Sequence, residues 1–583
     1  LARVATELGL PAPDPDWIGL ATAFLAPGAD RTAMRSAVET ACRAEAIDVV
    51  AWRDVPVDPG VLGDRARESM PQIVQALLLR PPGLSKEESE RACHRARRRA
   101  EAAVRKGFGE LIPSSPAGPA ERAVYFPSFS FYTVTYKGLV AADQLGEFYA
   151  DLREPDLEAH FAIFHQRYST NTLPTWERAQ PFRLICHNGE INTIAGNVNR
   201  MRSREGRLGK WSLLEEEVLR PVIDESGSDS AMLDNVLEML AREGQYPDDC
   251  RDIRHAVAML VPAAWEGTPG MPDEVSDFYR WHASIMEPWD GPAGLVFTDG
   301  VRVGAALDRN GLRPLRTHVC EDGFVAASSE AGAVDVSGHG RVRRGKLGPG
   351  QMIFVDPADG GFQEDPVARI ATRRPYGGWL AEYRIRQTAG EPDVEVPPDL
   401  ARRQVAHGYT REEMNLILRP AATNGKEPTF SMGDDTAAAV LSSHRRTLYN
   451  YFKQRFAQVT NPAIDHLRER FVMSLRTLIG PHDPLLWERP EACAHLEYDT
   501  FLLFRPPGGV FVDATFDPEE GPGALRRAVE RIAEAAVRAA ATGSGIIVVS
   551  DAHTGPERAP VPSLLAVGAV NTALLRAGHR TRT

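Results

Sequence analysis

The sequence predicts two successive folds: an α+β domain over residues 1–360 and an α/β region over 401–583, joined by a linker at 361–400. Three observations lead there. The chain has 583 residues, and single hydrophobic cores stop growing at roughly 250–300 residues. Short apolar runs recur between about 123 and 355, several of them ending in polar clusters, as strands of a layered domain do. The last segment reads helix, Gly-Ser-Gly, then the apolar strand IIVVSD at 546–551, then helix, which is the rhythm of a parallel sheet.

In chain order, residues 34–48 and 86–107 read as helices. Residues 123–136 (AVYFPSFSFYTVTY) alternate apolar and polar positions with many aromatics and read as strand. The runs FAIF at 161–164 and RLIC at 183–186 read as buried strands, each running directly into a polar cluster. Residues 294–297, 301–306 and 324–327 continue the strands, and 352–355 is expected to be the last of this region. Residues 357–400 are rich in Pro, Gly and charge. Beyond 400, long helical stretches such as RTLYNYFKQRFAQ at 446–458 appear, and the α/β pattern stops before a domain is complete.

Composition narrows the function. The chain is 43% hydrophobic and 25% charged, with a net charge of -12, which favours neither nucleic acid nor an anionic membrane as partner. The basic run RARRRAEAAVRK at 95–106 reads as the solvated face of a helix. The six cysteines (Cys42, Cys93, Cys186, Cys250, Cys320 and Cys493) are scattered. They form neither a disulfide framework nor a metal motif and suit a reducing cytoplasm. No apolar run reaches the roughly 18 residues of a membrane span. Both ends read as cut in mid-pattern.

Four polar segments could carry chemistry. In HNGE at 187–190, Asn188-Gly189 is a strong hairpin signal, yet the next residues, EINTIAGNVNRMRS, read as loop and helix. The second reading is an oxyanion hole, in which a side-chain amide and a backbone N–H aim at one point. In HQRYSTNT at 165–172, Arg167 comes after an apolar run. Its planar fork suits a carboxylate, or a structural acid. Asp229, in GSDSAMLDN at 227–235, precedes a helical run and suits an N-terminal capping role. DRNGLRP at 308–314 reads as a tight polar turn. No Gly-rich phosphate loop succeeds any strand.

Taken together, HQRYSTNT, HNGEINTIAGN, SDS, PWDGPAGLVFTDG and DRNGLRPLR resemble the glutaminase domain of the glutamate synthase family. That domain belongs to the class II glutamine amidotransferases, within the N-terminal nucleophile hydrolases. SMGDDTAAAVLS at 431–442, YFKQRFAQVTNPAID at 451–465 and VMSLRTLIGP at 472–481 resemble the central domain of the family's large subunit. The resemblance implies a four-layer αββα fold for the first domain and an incomplete central domain after it. It implies that Arg167 binds the α-carboxylate of L-glutamine and Asp229 its α-ammonium group. Asn188 and Gly189 would form the oxyanion hole. The family's nucleophile is an N-terminal cysteine whose own amine is the base. Here residue 1 is Leu and no cysteine is terminal, so the nucleophile segment is expected to be missing and the fragment inactive alone. Cys186 reads as a buried core residue. Ala463 replaces the family's usual second proline, with no functional consequence.

The resemblance further implies that ammonia passes to a flavin domain, where 2-oxoglutarate becomes glutamate. FMN and an iron–sulfur cluster are expected in a missing C-terminal part, with no cofactor in these residues. A small subunit or ferredoxin would donate electrons, and oligomers are possible. Two alternatives stand beside this. One is an amidotransferase serving another acceptor, which should show a different signature after residue 400. The other is a degenerate, non-catalytic glutamine-binding paralogue.

Overall fold

The computed structural model describes residues 2–9, 17–108, 123–168, 173–244, 250–357, 361–391, 395–425, 437, 440–443, 448–451 and 476–583. Two compact units are present. The first comprises residues 1–383, 465–474 and 483–493; the second comprises 384–464, 475–482 and 494–583.

In the first unit, strands β1 (Ile18–Leu25), β2 (Asp48–Asp54), β3 (Gln72–Leu79) and β4 (Val124–Ser130) form an antiparallel sheet. Their order across it is β2-β3-β1-β4. Every residue of β1 is buried, because both faces of the strand are covered. Alternation sends Ala21, Ala23 and Leu25 into one core, with Met34, Val38, Ala92 and Ala96 of the helices Arg31–Ala44 and Lys86–Phe108. Phe24 points the other way, against Ile73, Tyr125 and Trp176.

A five-stranded sheet comes next, made of β5 (Ile185–Gly189), β6 (Ala293–Thr298), β7 (Val303–Leu307), β11 (Met352–Asp356) and β12 (Gly361–Gln363), in the order β12-β11-β7-β6-β5. A separate three-stranded sheet holds β8 (Arg316–Cys320), β9 (Val325–Ser328) and β10 (Val342–Lys346). The largest core joins Ile185, Leu295, Phe297, Ala306 and Phe354 to the helices Ile194–Leu208, Asp229–Arg242, Ile253–Leu260 and Asp273–His282.

Three expectations are corrected. Residues 361–383 are not linker: they carry β12 and the helices Pro366–Ala371 and Tyr376–Tyr383. Val367, Ile370, Tyr376 and Leu380 bury into the main core, which holds this Gly- and Pro-rich stretch in place. FAIF at 161–164 forms no strand, and Phe164 is 57% exposed. The four residues of the run are half-buried or exposed, so no buried face holds it as a strand. The basic run at 95–106 is not a solvated face. Arg97 and Arg98 are buried. Arg97 donates to Glu238 at 2.7 Å, and Arg98 donates to the carbonyls of Leu219 and Pro221, each at 2.7 Å.

In the second unit, strands Val510–Asp513 and Ile547–Ser550 pair in parallel, with the helix Ala524–Ala541 between them in sequence. This is a βαβ crossover of the expected kind. Strand Leu496–Tyr498 pairs with Ile385–Gln387 and Thr477–Ile479. Of RTLYNYFKQRFAQ only Leu448–Tyr451, a 3-10 turn, is described. Most of SMGDDTAAAVLS and nearly all of YFKQRFAQVTNPAID lie outside the described residues.

Candidate functional site

Asn188 and Gly189 end β5, an edge strand whose only strand partner among the described residues is β6. Gly189 lies opposite Ala293, over a hundred positions on, so the pair closes no hairpin. The backbone groups of odd-numbered residues in β5 face the open edge, and side chains occupy them in turn. Ile185 N donates to Asp234 Oδ1 at 3.2 Å. His187 N donates to Gln180 Oε1 at 2.7 Å, and His187 O accepts from Gln180 Nε2 at 3.0 Å. The groups of even-numbered residues point to β6: Leu184 O accepts from Thr298 N at 2.8 Å, and Glu190 N donates to Pro292 O at 3.2 Å. By this alternation the Gly189 N–H leaves the strand on its open side, two residues beyond the last occupied position. Among the described residues the Asn188 side-chain amide has no hydrogen-bond partner.

Gly189 cannot be another residue. Its φ is 147°, and a Cβ there would stand 1.7 Å from Pro292 O. Opposite it, Gly291 has φ 157° and faces Glu190 O in the same way. Two backbones without Cβ atoms therefore approach closely, and the segment after β5 is clamped onto 289–293. Asn192 N and Thr193 N donate to Asp290 O at 2.8 and 3.2 Å. Asp290 is in turn gripped by buried Arg309, with Nε to Oδ1 at 2.9 Å and Nη2 to Oδ2 at 2.8 Å.

Asp229 opens the helix Asp229–Arg242, capped by Ser228. Its Oδ2 accepts from Ile191 N at 2.8 Å, and its Oδ1 accepts from Ser230 N at 2.7 Å. It is thus tied to the loop two residues past Gly189. Ser230 Oγ lies 2.7 Å from His187 Nδ1. Burial pushes the pKa of His187 down to about 4 against the pull of Asp229, so the ring is neutral at pH 7.

Arg167 is exposed in the 151–168 loop and its guanidinium has no partner among the described residues. It lines a cavity of about 1360 Å³, with Tyr136, Lys137, His165, Gln180 and Phe182. Asn188, Gly189 and Asp229 do not line that cavity. The connection to them is His165, whose ring receives the Arg167 N–H at 3.2 Å and also contacts the His187 backbone; burial holds its pKa below the usual range. The structure therefore joins Asn188, Gly189 and Asp229 tightly, and brings Arg167 near them only through His165.

All six cysteines are buried and free. Cys186 is 2% exposed, and burial pushes its thiol pKa far above the usual value, which leaves no thiolate to attack. One group among the described residues has metal-ligand chemistry: His255, His282 and Glu488, all buried. His255 Nε2 lies 2.7 Å from His282 Nε2 and 3.0 Å from Glu488 Oε1. Buried Arg251 already stands 3.4 Å from the same carboxylate oxygen. A divalent ion would add like charge in a dry site, so the cluster is a hydrogen-bonded lock.

Known proteins share this arrangement of segments along their sequences. The model of the class-II glutamine amidotransferases matches residues 1–379. The chain belongs to that family. Residues 402–583 match the glutamate synthase central domain. Ferredoxin-dependent glutamate synthase 2 of Synechocystis sp. is 40% identical over 100% of this chain and 38% of its own length. The glutamate synthase [NADPH] large chain of Azospirillum brasilense is 39% identical over 94% of this chain and 36% of its own. Ferredoxin-dependent glutamate synthase 1 of Arabidopsis thaliana is 40% identical over 94% and 34%. The chain thus spans little more than a third of the length of these relatives.

For this class-II amidotransferase domain, the sequence reading of isolated segments missed the residues that shape the site. Gln180, Ser230, Asp290 and Arg309 touch or brace the 187–193 segment. The motifs containing Asp290 and Arg309 were visible, but only the fold shows that WDG and DRNG clamp one loop.

Proposed function

We propose that the first unit is the glutaminase of a glutamate synthase, hydrolysing L-glutamine to glutamate and ammonia. The observation that carries this is the end of β5, where an N–H and a side-chain amide without partners among the described residues stand close to a carboxylate tied to the next loop. Gly189 N–H and the Asn188 amide serve as the oxyanion hole. The Gly189 N–H is fixed by the clamped backbone before reaction, so the charge that develops on the carbonyl oxygen meets an oriented donor there. Asp229 takes the substrate's α-ammonium group, and the unpaired Arg167 fork takes its α-carboxylate. In the chemistry proposed, a thiolate attacks the amide carbon, ammonia departs with a proton, and water splits the resulting thioester. None of the six buried cysteines supplies that thiolate.

The finer reading comes from the family: a four-layer αββα arrangement for the amidotransferase domain, and a central domain over 401–583. In the whole enzyme ammonia passes on to 2-oxoglutarate, with reduction supported by ferredoxin or a small subunit. Cytoplasmic placement suits six free cysteines. No helix among the described residues is long and apolar enough to cross a membrane. Iron–sulfur chemistry does not fit the residues present, because Cys42 and Cys93 lie in one apolar core and Cys493 in another. FMN and the cluster are assigned to other parts of the enzyme, and no step here runs through them.

The test is ammonia release from L-glutamine by the protein at its natural full length. Arg167→Ala should raise KM about 10- to 150-fold, from the roughly 1.5–3 kcal/mol of a charge-assisted fork. Asn188→Ala should lower kcat about 100-fold or more. An unchanged KM in the first variant removes Arg167 from the site. An unchanged kcat in the second removes the oxyanion reading.

A further inference from the structure

At His187 the open edge of β5 is closed mainly by one side chain, Gln180, with the His165 ring also touching the His187 backbone. Gln180 is 5% exposed. It gives His187 both bonds that a neighbouring strand would give, accepting from the N–H at 2.7 Å and donating to the C=O at 3.0 Å. Its own loop is held on both sides. The buried Lys137 ammonium donates to Glu177 O at 2.9 Å, Ala179 O at 2.8 Å and Pro181 O at 3.3 Å, and to the Tyr125 hydroxyl at 3.1 Å. The carbonyls before and after Gln180 are therefore pinned to one point, which leaves its amide little freedom.

His187 stands two residues before Gly189 on the same edge, so its peptide planes set the direction in which the Gly189 N–H leaves the strand. An edge strand without such a partner is free to twist. We propose that Gln180 is a positioning residue for the oxyanion hole: its side-chain amide stands in for a missing strand and fixes the end of β5 from the open side, while Lys137 fixes Gln180. This rests on the glutaminase reading of Asn188 and Gly189. Gln180 touches neither of them and acts only through His187.

The test uses the full-length protein and L-glutamine. Gln180→Ala should lower kcat at least about tenfold while KM stays within about twofold, because Arg167 and Asp229 are untouched; general loosening would move both. Gln180→Glu gives the sharper signature. An ionised carboxylate accepts the His187 N–H but repels the His187 C=O, whereas a protonated one donates to it and restores both bonds. Burial raises the pKa of such a carboxyl, so kcat of this variant relative to wild type should climb as pH falls. Lys137, His165, Arg183, His187 and Asp234 are the charged and titratable groups around the position. They are present in both proteins, and of them Lys137, which burial pushes down to about 7, couples most directly to a carboxylate at 180, so the ratio reports the 180–137 pair.

If Gln180→Ala leaves kcat unchanged while Asn188→Ala lowers it, the positioning role is overturned and the glutaminase reading stands. If Asn188→Ala also leaves kcat unchanged, the reading fails and the inference falls with it. Should Gln180→Ala not fold, the glutamate variant decides: a kcat ratio that does not change with pH overturns the proposal.

Discussion

Gly189 concentrates the residue-scale argument. Its positive φ and the 1.7 Å approach to Pro292 O leave no space for a methyl group, so Gly189→Ala must move backbone. Backbone strain of this kind costs about 1–3 kcal/mol, and a displacement near 1 Å in a catalytic group costs about 100-fold in rate. The expected outcome is a lower unfolding midpoint together with a kcat reduced about 100-fold, read by thermal unfolding and ammonia release. Full activity in this variant would show that the Gly189 N–H is not used. The sequence marked this glycine by its neighbours, but between a hairpin turn and an oxyanion hole it could not decide. That choice depends on β6, more than a hundred positions away. Asp229 reads from the sequence as a helix cap, but Ser228 is the cap and Asp229 the first helical residue; its hold on Ile191 was not legible, because nothing local encodes it.

At the scale of elements, the two misread segments share a cause. FAIF has the apolar content of a strand, and RARRRAEAAVRK the charge of a surface helix. In both cases the partner decides. FAIF has no strand partner among the described residues, and its side chains stay half-buried or exposed. The helix Lys86–Phe108 meets Glu238 on the helix Asp229–Arg242 through Arg97, while Arg98 is buried against the carbonyls of Leu219 and Pro221. Glu238 is the centre of that contact. It receives Arg97 at 2.7 Å and Arg183 Nε at 2.8 Å, with His94 Nδ1 at 3.3 Å. These cations hold its pKa well below the carboxylate range despite burial. Glu238→Leu would take the nearer acid from two buried guanidinium groups, leaving Arg97 with Glu101 and Arg183 with Asp234, a loss of about 3 kcal/mol. Arg97→Met should cost less, because Glu238 keeps Arg183. Urea unfolding of both variants checks the order; equal losses would mean that Glu238 does not centre the network.

For the molecule as a whole, the buried ionisable groups predict how stability varies with pH. His255 is fully buried, and burial pushes its pKa down to about 4 from an ordinary value near 6.5. Glu488, hydrogen-bonded to it, opposes the shift without cancelling it. Between about pH 6.5 and 4 the unfolded chain therefore binds a proton at this site that the folded chain refuses. Stability must then fall as pH falls through that window. Taken alone, the site is worth up to about 3 kcal/mol, at roughly 1.4 kcal/mol per unit. His187, also near 4, adds in the same direction. Glu90 and Asp234 are held above the usual carboxylate range by burial. They bind protons more readily when folded and work the other way, whereas Glu238 and Glu488, held well below the usual carboxylate range, add to the loss at the acid end. The difference between wild type and His255→Gln removes that opposition. A glutamine cannot be protonated, so the variant should lose less stability on acidification from pH 6.5 to 4. Urea midpoints at half-unit pH steps measure it. Parallel curves for the two proteins would mean that His255 keeps an ordinary pKa in the fold.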